Sequence, residues 1–244
     1  MQYFTITDRG KIRETNQDAC TAKEIKGFTV FVLADGMGGH HGGEVASQKA
    51  IETVISQLEN ELKTKMLPGQ IMLLLSEVLD NANKEILELT KDDSSLSGMG
   101  TTCDICLISK NTAYIAHIGD SRVYKISKKD NSIQKLTKDH SLVEYMIETG
   151  AITREEAANH PQKNIILQAL GSFPEINADV FSIKLTSDDV ILMCSDGLSN
   201  MVEENEIADV VTSGASPEKS AEKLVALANE AGGRDNITVV IATK

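Results

Sequence analysis

Gly27-Phe-Thr-Val-Phe-Val-Leu-Ala-Asp35-Gly36 runs from a glycine through an apolar, β-branched stretch into an aspartate beside a second glycine. The run Gly27–Leu33 reads as a strand, and its near-continuous apolarity indicates cover on both sides. Two helical patterns follow. In Glu44–Lys65 the apolar positions Val45, Ile51, Val54, Ile55, Leu58 and Leu62 share one stripe, and in Gln70–Leu89 the stripe is Ile71, Leu74, Leu75, Val78, Leu79, Ala82, Ile86 and Leu89. Both keep three- and four-residue spacing with charges opposite. Two adjacent helices with one apolar face each predict an antiparallel pair lying on a sheet.

Outward from that stretch, Thr101–Ile108, Ala113–Ile118, Arg122–Ser127, Val190–Cys194 and Ile237–Ala242 repeat the strand signal between Gly, Asp, Asn and Ser. A further helix starts after Ser216 as N-cap, with Pro217 in its first turn, and stops at Gly232-Gly233. Asp139–Gly171 breaks the strand rhythm. It holds two helix starts with capping-box spacing, Ser141-x-x-Glu144 and Thr153-x-x-Glu156, and reads as a lid-like excursion. No linker composition or repeat divides the chain. The expectation is one domain over 1–244, with strands in one or two sheets and helices packed outside.

The 244 residues are 41% hydrophobic and 25% charged, enough apolar content to exclude disorder and to fill a sizeable core. No apolar run approaches the roughly 20 residues of a membrane span, and the N-terminus lacks a secretion signal, so a cytoplasmic protein with no membrane contact is expected. With 24 Lys+Arg against 36 Asp+Glu, the net charge of −12 speaks against nucleic-acid binding. Four cysteines do not make a disulfide framework. Cys103 and Cys106 spell CxxC inside a strand, where residues three apart face opposite sides; buried thiols, rather than a metal site, are expected.

Three times an apolar strand runs into an Asp beside a Gly: at Asp35-Gly36, Gly119-Asp120 and Asp196-Gly197. Gly233-Arg-Asp235-Asn236 reverses the order and leads into a strand. A single Asp-Gly is most often a turn. Four at apolar strand ends can instead converge, and converged carboxylates either hold protons or bind hard cations. Oxygen-only ligands select Mg or Mn, and two such ions can activate a water against a phosphoryl group. The glycine run Gly36–Gly43 precedes a helix and favours anions, while Arg13 offers a planar fork for a phosphate. Motifs for cysteine-dependent, aspartyl-phosphate, serine-hydrolase and zinc-protease chemistry are missing from the sequence.

Taken in order, Arg13-x-x-Asn-Gln-Asp18, Asp35-Gly-Met-Gly-Gly-His40, Gly98-Met-Gly-Thr-Thr102, Gly119-Asp-Ser-Arg122, Ser195-Asp-Gly197 and Gly233-Arg-Asp-Asn-Ile-Thr238 resemble the metal-dependent type 2C protein serine/threonine phosphatases, especially small bacterial members. Asp139-His-Ser-Leu-Val and His160-Pro-Gln-Lys-Asn-Ile-Ile look like the bacterial flap region, so 139–171 is expected to be flap-like. The resemblance implies an α+β fold: a central β-sandwich of two antiparallel sheets flanked by helices on both faces. It also implies two core Mn or Mg ions and a weaker third. Asp35 would bridge the core pair, Asp196 and Asp235 would complete the first site, and the Gly36 carbonyl would serve the second. Asp18 would act through a bound water, and Asp120 with Asp196 would hold the third ion. Arg13 would grip the substrate phosphate. Animal members carry a Glu where Gln17 stands and a His where Met37 stands; His40 is the candidate replacement acid.

The resemblance further implies hydrolysis of phosphoserine and phosphothreonine in proteins by metal-activated water, opposing a bacterial Hanks-type serine/threonine kinase. A monomer is expected. A catalytically inactive module of the same fold and a small-phosphoester hydrolase are the alternatives.

Overall fold

A computed structural model describes residues 1–38, 42–158 and 160–244. In chain order the strands are β1 (Gln2–Asp8), β2 (Asp18–Ile25), β3 (Phe28–Met37), β4 (Gly100–Thr101), β5 (Cys103–Ser109), β6 (Thr112–Ile118), β7 (Arg122–Ser127), β8 (Ile133–Lys135), β9 (Asp179–Lys184), β10 (Asp189–Cys194) and β11 (Ile237–Thr243). The helices are α1 (Gly42–Glu61), α2 (Pro68–Asp92), α3 (Leu142–Glu148), α4 (Arg154–Ala158), α5 (Asp196–Ser199), α6 (Glu204–Thr212) and α7 (Pro217–Glu230). One sheet runs β1-β11-β10-β7-β8 and the other β2-β3-β5-β6-β9, with β4 added beside β3. Every pairing is antiparallel.

Side-chain alternation along the strands builds three cores. In β3, Phe31 and Leu33 point between the sheets, where they meet Cys106, Ile115, Val123, Ile191, Met193 and Val240. Val30, Val32 and Ala34 point the other way, onto Val54, Leu58, Leu75 and Leu79 of α1 and α2. On the far side, Tyr124, Leu192, Val239 and Ile241 pack against Ile207, Leu224 and Ala228 of α6 and α7. A period of two with both faces covered is what a near-continuous apolar strand requires. The expected helix–sheet–sheet–helix layering is therefore present.

Cys103 lies in the α1/α2 core and Cys106 in the core between the sheets, so the two sulfurs face apart as the strand period demands. All four cysteines are free. Ser216 caps α7 by accepting from Lys219 N–H, and Ser141 caps α3 by accepting from Glu144 N–H. At Thr153 both bonds of the capping box form: Thr153 N–H donates to Glu156 Oε2 at 2.7 Å and Glu156 N–H to Thr153 Oγ1 at 3.2 Å.

The first long helix differs from its expected span. It opens at Gly42 and ends at Glu61, before Lys65. Among the described residues no helix is long and apolar enough to cross a membrane.

Candidate active site

The acids gather at one end of the sandwich. β2 and β3 pair in a register that sets Asp18 directly opposite Asp35. Asp35 is held through its backbone: its N–H donates to Thr102 Oγ1 at 2.9 Å, and its carbonyl accepts from Thr102 N–H at 2.9 Å and Thr101 Oγ1 at 3.0 Å. The carboxyl group is thereby left for other work. Next to it, Gly36 has no room for a side chain, since a Cβ would lie 2.1 Å from Gly43 O and 2.5 Å from Gln17 O.

Asp18 is 5% exposed. Its Oδ2 accepts from Ser195 Oγ at 2.8 Å and Thr238 Oγ1 at 2.7 Å, while Oδ1 is buried with no hydrogen-bond partner among the described residues. Desolvation pushes its pKa up to about 6, against the two hydroxyl bonds. Asp35 is raised well above the ordinary carboxylate range, first by desolvation and then by the charges of Asp18, Asp196, Asp120 and Asp235. Asp196 opens α5 directly after β10; desolvation and the neighbouring Asp120 and Asp235 raise it to about 8. Asp120, in the turn after β6, is raised to about 6, desolvation leading and Asp139 following. Such shifts arise where like charges are forced together with little water, which is a signature of functional sites.

Asp235 stands just before β11, and its Oδ2 accepts from Arg13 Nη2 at 2.7 Å. Arg13 rides on the loop between β1 and β2, and Asn236 fixes that loop. The Asn236 Oδ1 accepts from Gln17 N–H at 2.8 Å, and its Nδ2 donates to Arg9 O at 2.9 Å and Thr15 O at 3.0 Å. Two motifs more than 200 residues apart in sequence thus interlock.

Arg13, Gly36, Asp35, Asp120, Asp196 and Asp235 line one cleft of ≈ 340 Å³. Asp18, opposite Asp35 on the neighbouring strand, is not among the residues that line it. His40 falls outside the described residues. Gln17 and Met37, at the positions where the resemblance marks departures, also line the cleft. A larger groove of ≈ 590 Å³ between α1 and α2 holds Lys49 and Glu85, which satisfy each other at 2.7 Å, and none of the clustered aspartates.

The donor set suits a hard divalent cation: oxygen only, with one buried carboxylate oxygen unpartnered. As placed, no group of three or more His, Cys, Asp or Glu among the described residues is drawn tightly enough to hold an ion. One reason is visible at Asp235, which is bonded to Arg13 instead. The acids therefore fit such ions in kind.

Sequence reasoning missed several cleft and supporting residues. Lys163, Asn164 and Ile166 form a wall from the 139–171 excursion, and Arg234 stands beside Asp235. Ser195 and Thr238, both inside motifs already noted, turn out to hold Asp18. Beneath Asp120 lies a buried pair with no sequence forewarning beyond one polar residue in each of two apolar strands. His117 Nδ1 and Asp104 Oδ1 are 2.6 Å apart, directly opposite in the β5–β6 register and both fully buried.

Comparison with known proteins places residues 11–230 in the family described as protein phosphatase 2C. The protein phosphatase PhpP of Streptococcus pneumoniae is 40% identical over 245 residues, covering 100% of this chain and 97% of its own. The crystal structure of a Streptococcus agalactiae serine/threonine phosphatase superposes with a TM-score of 0.93 at 34% identity, covering 100% of this chain and 99% of that one. The catalytic domain of the serine threonine protein phosphatase PstP, solved with 2 manganese ions, superposes with a TM-score of 0.85 at 33% identity over 99% of this chain and 97% of that one.

Proposed function

The chain belongs to the protein phosphatase 2C family and is a metal-dependent protein serine/threonine phosphatase acting on phosphorylated proteins; from that premise we propose how its own residues do this. Asp18, Asp35, Asp196, Asp235 and the Gly36 carbonyl would hold two Mn or Mg ions, and Asp120 with Asp196 would hold a weaker third. Residues 1–244 form one catalytic domain, with 139–171 as its flap. It works in the cytoplasm, a reducing compartment that suits its four free cysteines, and opposes a Hanks-type serine/threonine kinase by acting on that kinase's substrates.

The observation that carries the ligand assignment is the Asp18–Asp35 pair: two carboxyl groups set opposite each other, desolvated, with an oxygen left unpartnered. A fold maintains such a pair at a cost unless a cation or a proton offsets it. Bound divalent ions supply Lewis acidity and a lowered pKa for water. Ser195 and Thr238 fix one oxygen of Asp18 and leave the other to the site. Arg13, on the loop that Asn236 staples, lines the cleft, where its guanidinium would grip the substrate phosphate.

Turnover of a phosphothreonine peptide, measured with chelator and with Mn or Mg restored, tests this reading. Activity should vanish with chelator and return with either ion. Full turnover in a metal-free preparation would sink it, and turnover of aryl phosphates without any turnover of phosphopeptides would return the small-phosphoester alternative.

A further inference from the structure

We propose that His140 is a positioning residue that fixes Asp120 against the cleft wall of residues 163–166. This rests on the reading of Asp120 as a functional acid of the cleft.

Gly119, the residue before Asp120, has both backbone polar groups taken by His140. Gly119 N–H donates to His140 Nδ1 at 3.1 Å, and His140 N–H donates to Gly119 O at 2.7 Å. Gly119 itself sits at φ +115°, where a Cβ would meet the Thr102 side chain at 2.5 Å. The turn therefore has no room for a side chain, and its positive φ suits glycine. On the far side of Asp120, Ser121 Oγ and Thr102 Oγ1 are 2.8 Å apart. Arg122 clasps Asp139, the neighbour of His140, with Nη2 to Oδ2 at 2.7 Å. Residues 119 and 122 are thus tied to 140 and 139, and Asp120 is carried between them.

His140 also reaches the wall. Its carbonyl accepts from Leu167 N–H at 2.7 Å, and Leu142 N–H donates to Ile165 O at 2.8 Å. Lys163, Asn164 and Ile166 of that same stretch line the cleft.

The ring is fixed from behind. His117 packs on it with centroids 4.8 Å apart, and His117 Nε2 lies 2.9 Å from Lys138 O, so that nitrogen carries a hydrogen. His140 Nδ1 accepts from a peptide N–H, so its own hydrogen resides on Nε2, 3.4 Å from Asp179 Oδ2. One tautomer of one rotamer meets all these partners, which is how an outer residue sets the aim of a ligand.

The position of the acceptor supplies a chemical test. His140→Asn keeps a carbonyl oxygen at the place of Nδ1, His140→Gln moves it one carbon further, and His140→Ala removes it. These variants, Asp120→Ala and the Asp120→Ala/His140→Ala double variant would be compared by calorimetric Mn titration and by turnover, with thermal unfolding to confirm folding. His140→Ala and His140→Gln should lose the same weak Mn-binding event as Asp120→Ala, and about tenfold or more in turnover. His140→Asn should stay within about threefold of the parent. In the Asp120→Ala background, His140→Ala should cost nothing further, since residues acting through one group are not additive. Multiplying effects in the double variant, or equal losses for Asn and Ala at equal folding, would overturn the positioning role. An Asp120→Ala variant with unchanged metal count and turnover would instead sink the reading of Asp120 on which it rests.

Discussion

Arg13 and Asp235 are bonded to each other at 2.7 Å, so a guanidinium stands where a divalent cation would draw the same carboxylate. The guanidinium is also close enough to Asp196 and Asp35 to be stabilised by their charge. If Asp235 is a metal ligand as proposed, Arg13 and the ion compete for the same carboxylate.

Replacing Arg13 by Ala should accordingly have two separable effects. KM for phosphosubstrate should rise by about ten- to a hundredfold with a smaller fall in kcat, the pattern of a charge-assisted contact present in ground and transition states alike. The melting temperature in chelator should fall slightly, because the pair is half exposed and such pairs contribute only about 0.2–1 kcal/mol. In saturating Mn that second effect should disappear. A large kcat loss at unchanged KM would assign Arg13 to the transition state instead.

The acid cluster gives the metal-free protein an inverted pH dependence. Asp196, Asp120 and Asp18 have folded-state pKa values raised to about 8, 6 and 6, above the unfolded value. Above the unfolded pKa near 4 the unfolded chain gives up these protons while the folded chain keeps them, so stability falls as pH rises until about pH 8. Melting scans in chelator from pH 5 to 9 should show this decline, and Mn should abolish it. Asp196→Asn should raise the melting temperature in chelator at pH 8, by about 2–4 °C for each kcal/mol of relieved repulsion, while losing nearly all turnover. A variant that melts lower in chelator would contradict the repulsion account.

Asn236 is 5% exposed and serves three backbone groups of the loop bearing Arg13. Its replacement by Ala removes three hydrogen bonds to part-buried backbone groups, each worth about 0.5–1.5 kcal/mol. Differential scanning calorimetry should find the loss even with Mn present, unlike that of Arg13→Ala. KM should rise with it, since the loop no longer presents Arg13 in one place. Wild-type stability for Asn236→Ala would mean that the staple is dispensable.

Asp120→Ala should leave tight Mn binding intact and reduce turnover sharply, with poor rescue by added Mn. Few charged ligands mean weak binding of a hard cation, so the affected ion is the weaker one. Calorimetry beside kinetics decides it: unchanged metal count with normal turnover would remove the third-ion role.

The strands easiest to read from sequence are the ones buried on both faces. β3, β5, β6, β7, β10 and β11 all stand in sheet interiors, and their apolar runs announce them. β1, β2, β8 and β9, which the sequence did not announce, are the four sheet edges. An edge strand such as Asp18–Ile25 carries Thr21, Lys23 and Glu24 because one side meets water, which also guards against edge-to-edge pairing. The site followed the same logic. Its acids sit at the ends of the legible strands, and four of them do share one cleft. What escaped were residues whose meaning exists only across the fold: Asn236 reaching back to Arg9, and His140 reaching Gly119. Neither contact has a local spacing to betray it.

The register that sets Asp18 against Asp35 also gives the β2–β3 hairpin an order of assembly. At its turn Ile25 meets Phe28, and further along Ala22 meets Phe31 and Cys20 meets Leu33; like charges oppose each other only at the open end. Zipping from the turn therefore gains apolar contacts first and meets repulsion last. On that order the acid end is expected to close last, so a cation that relieves it should act mainly on unfolding. Manganese should slow unfolding many times more than it speeds refolding, as expected for interactions absent from the nucleus, and stopped-flow rates with and without the ion would show whether the cofactor of the reaction is also the latch of the fold.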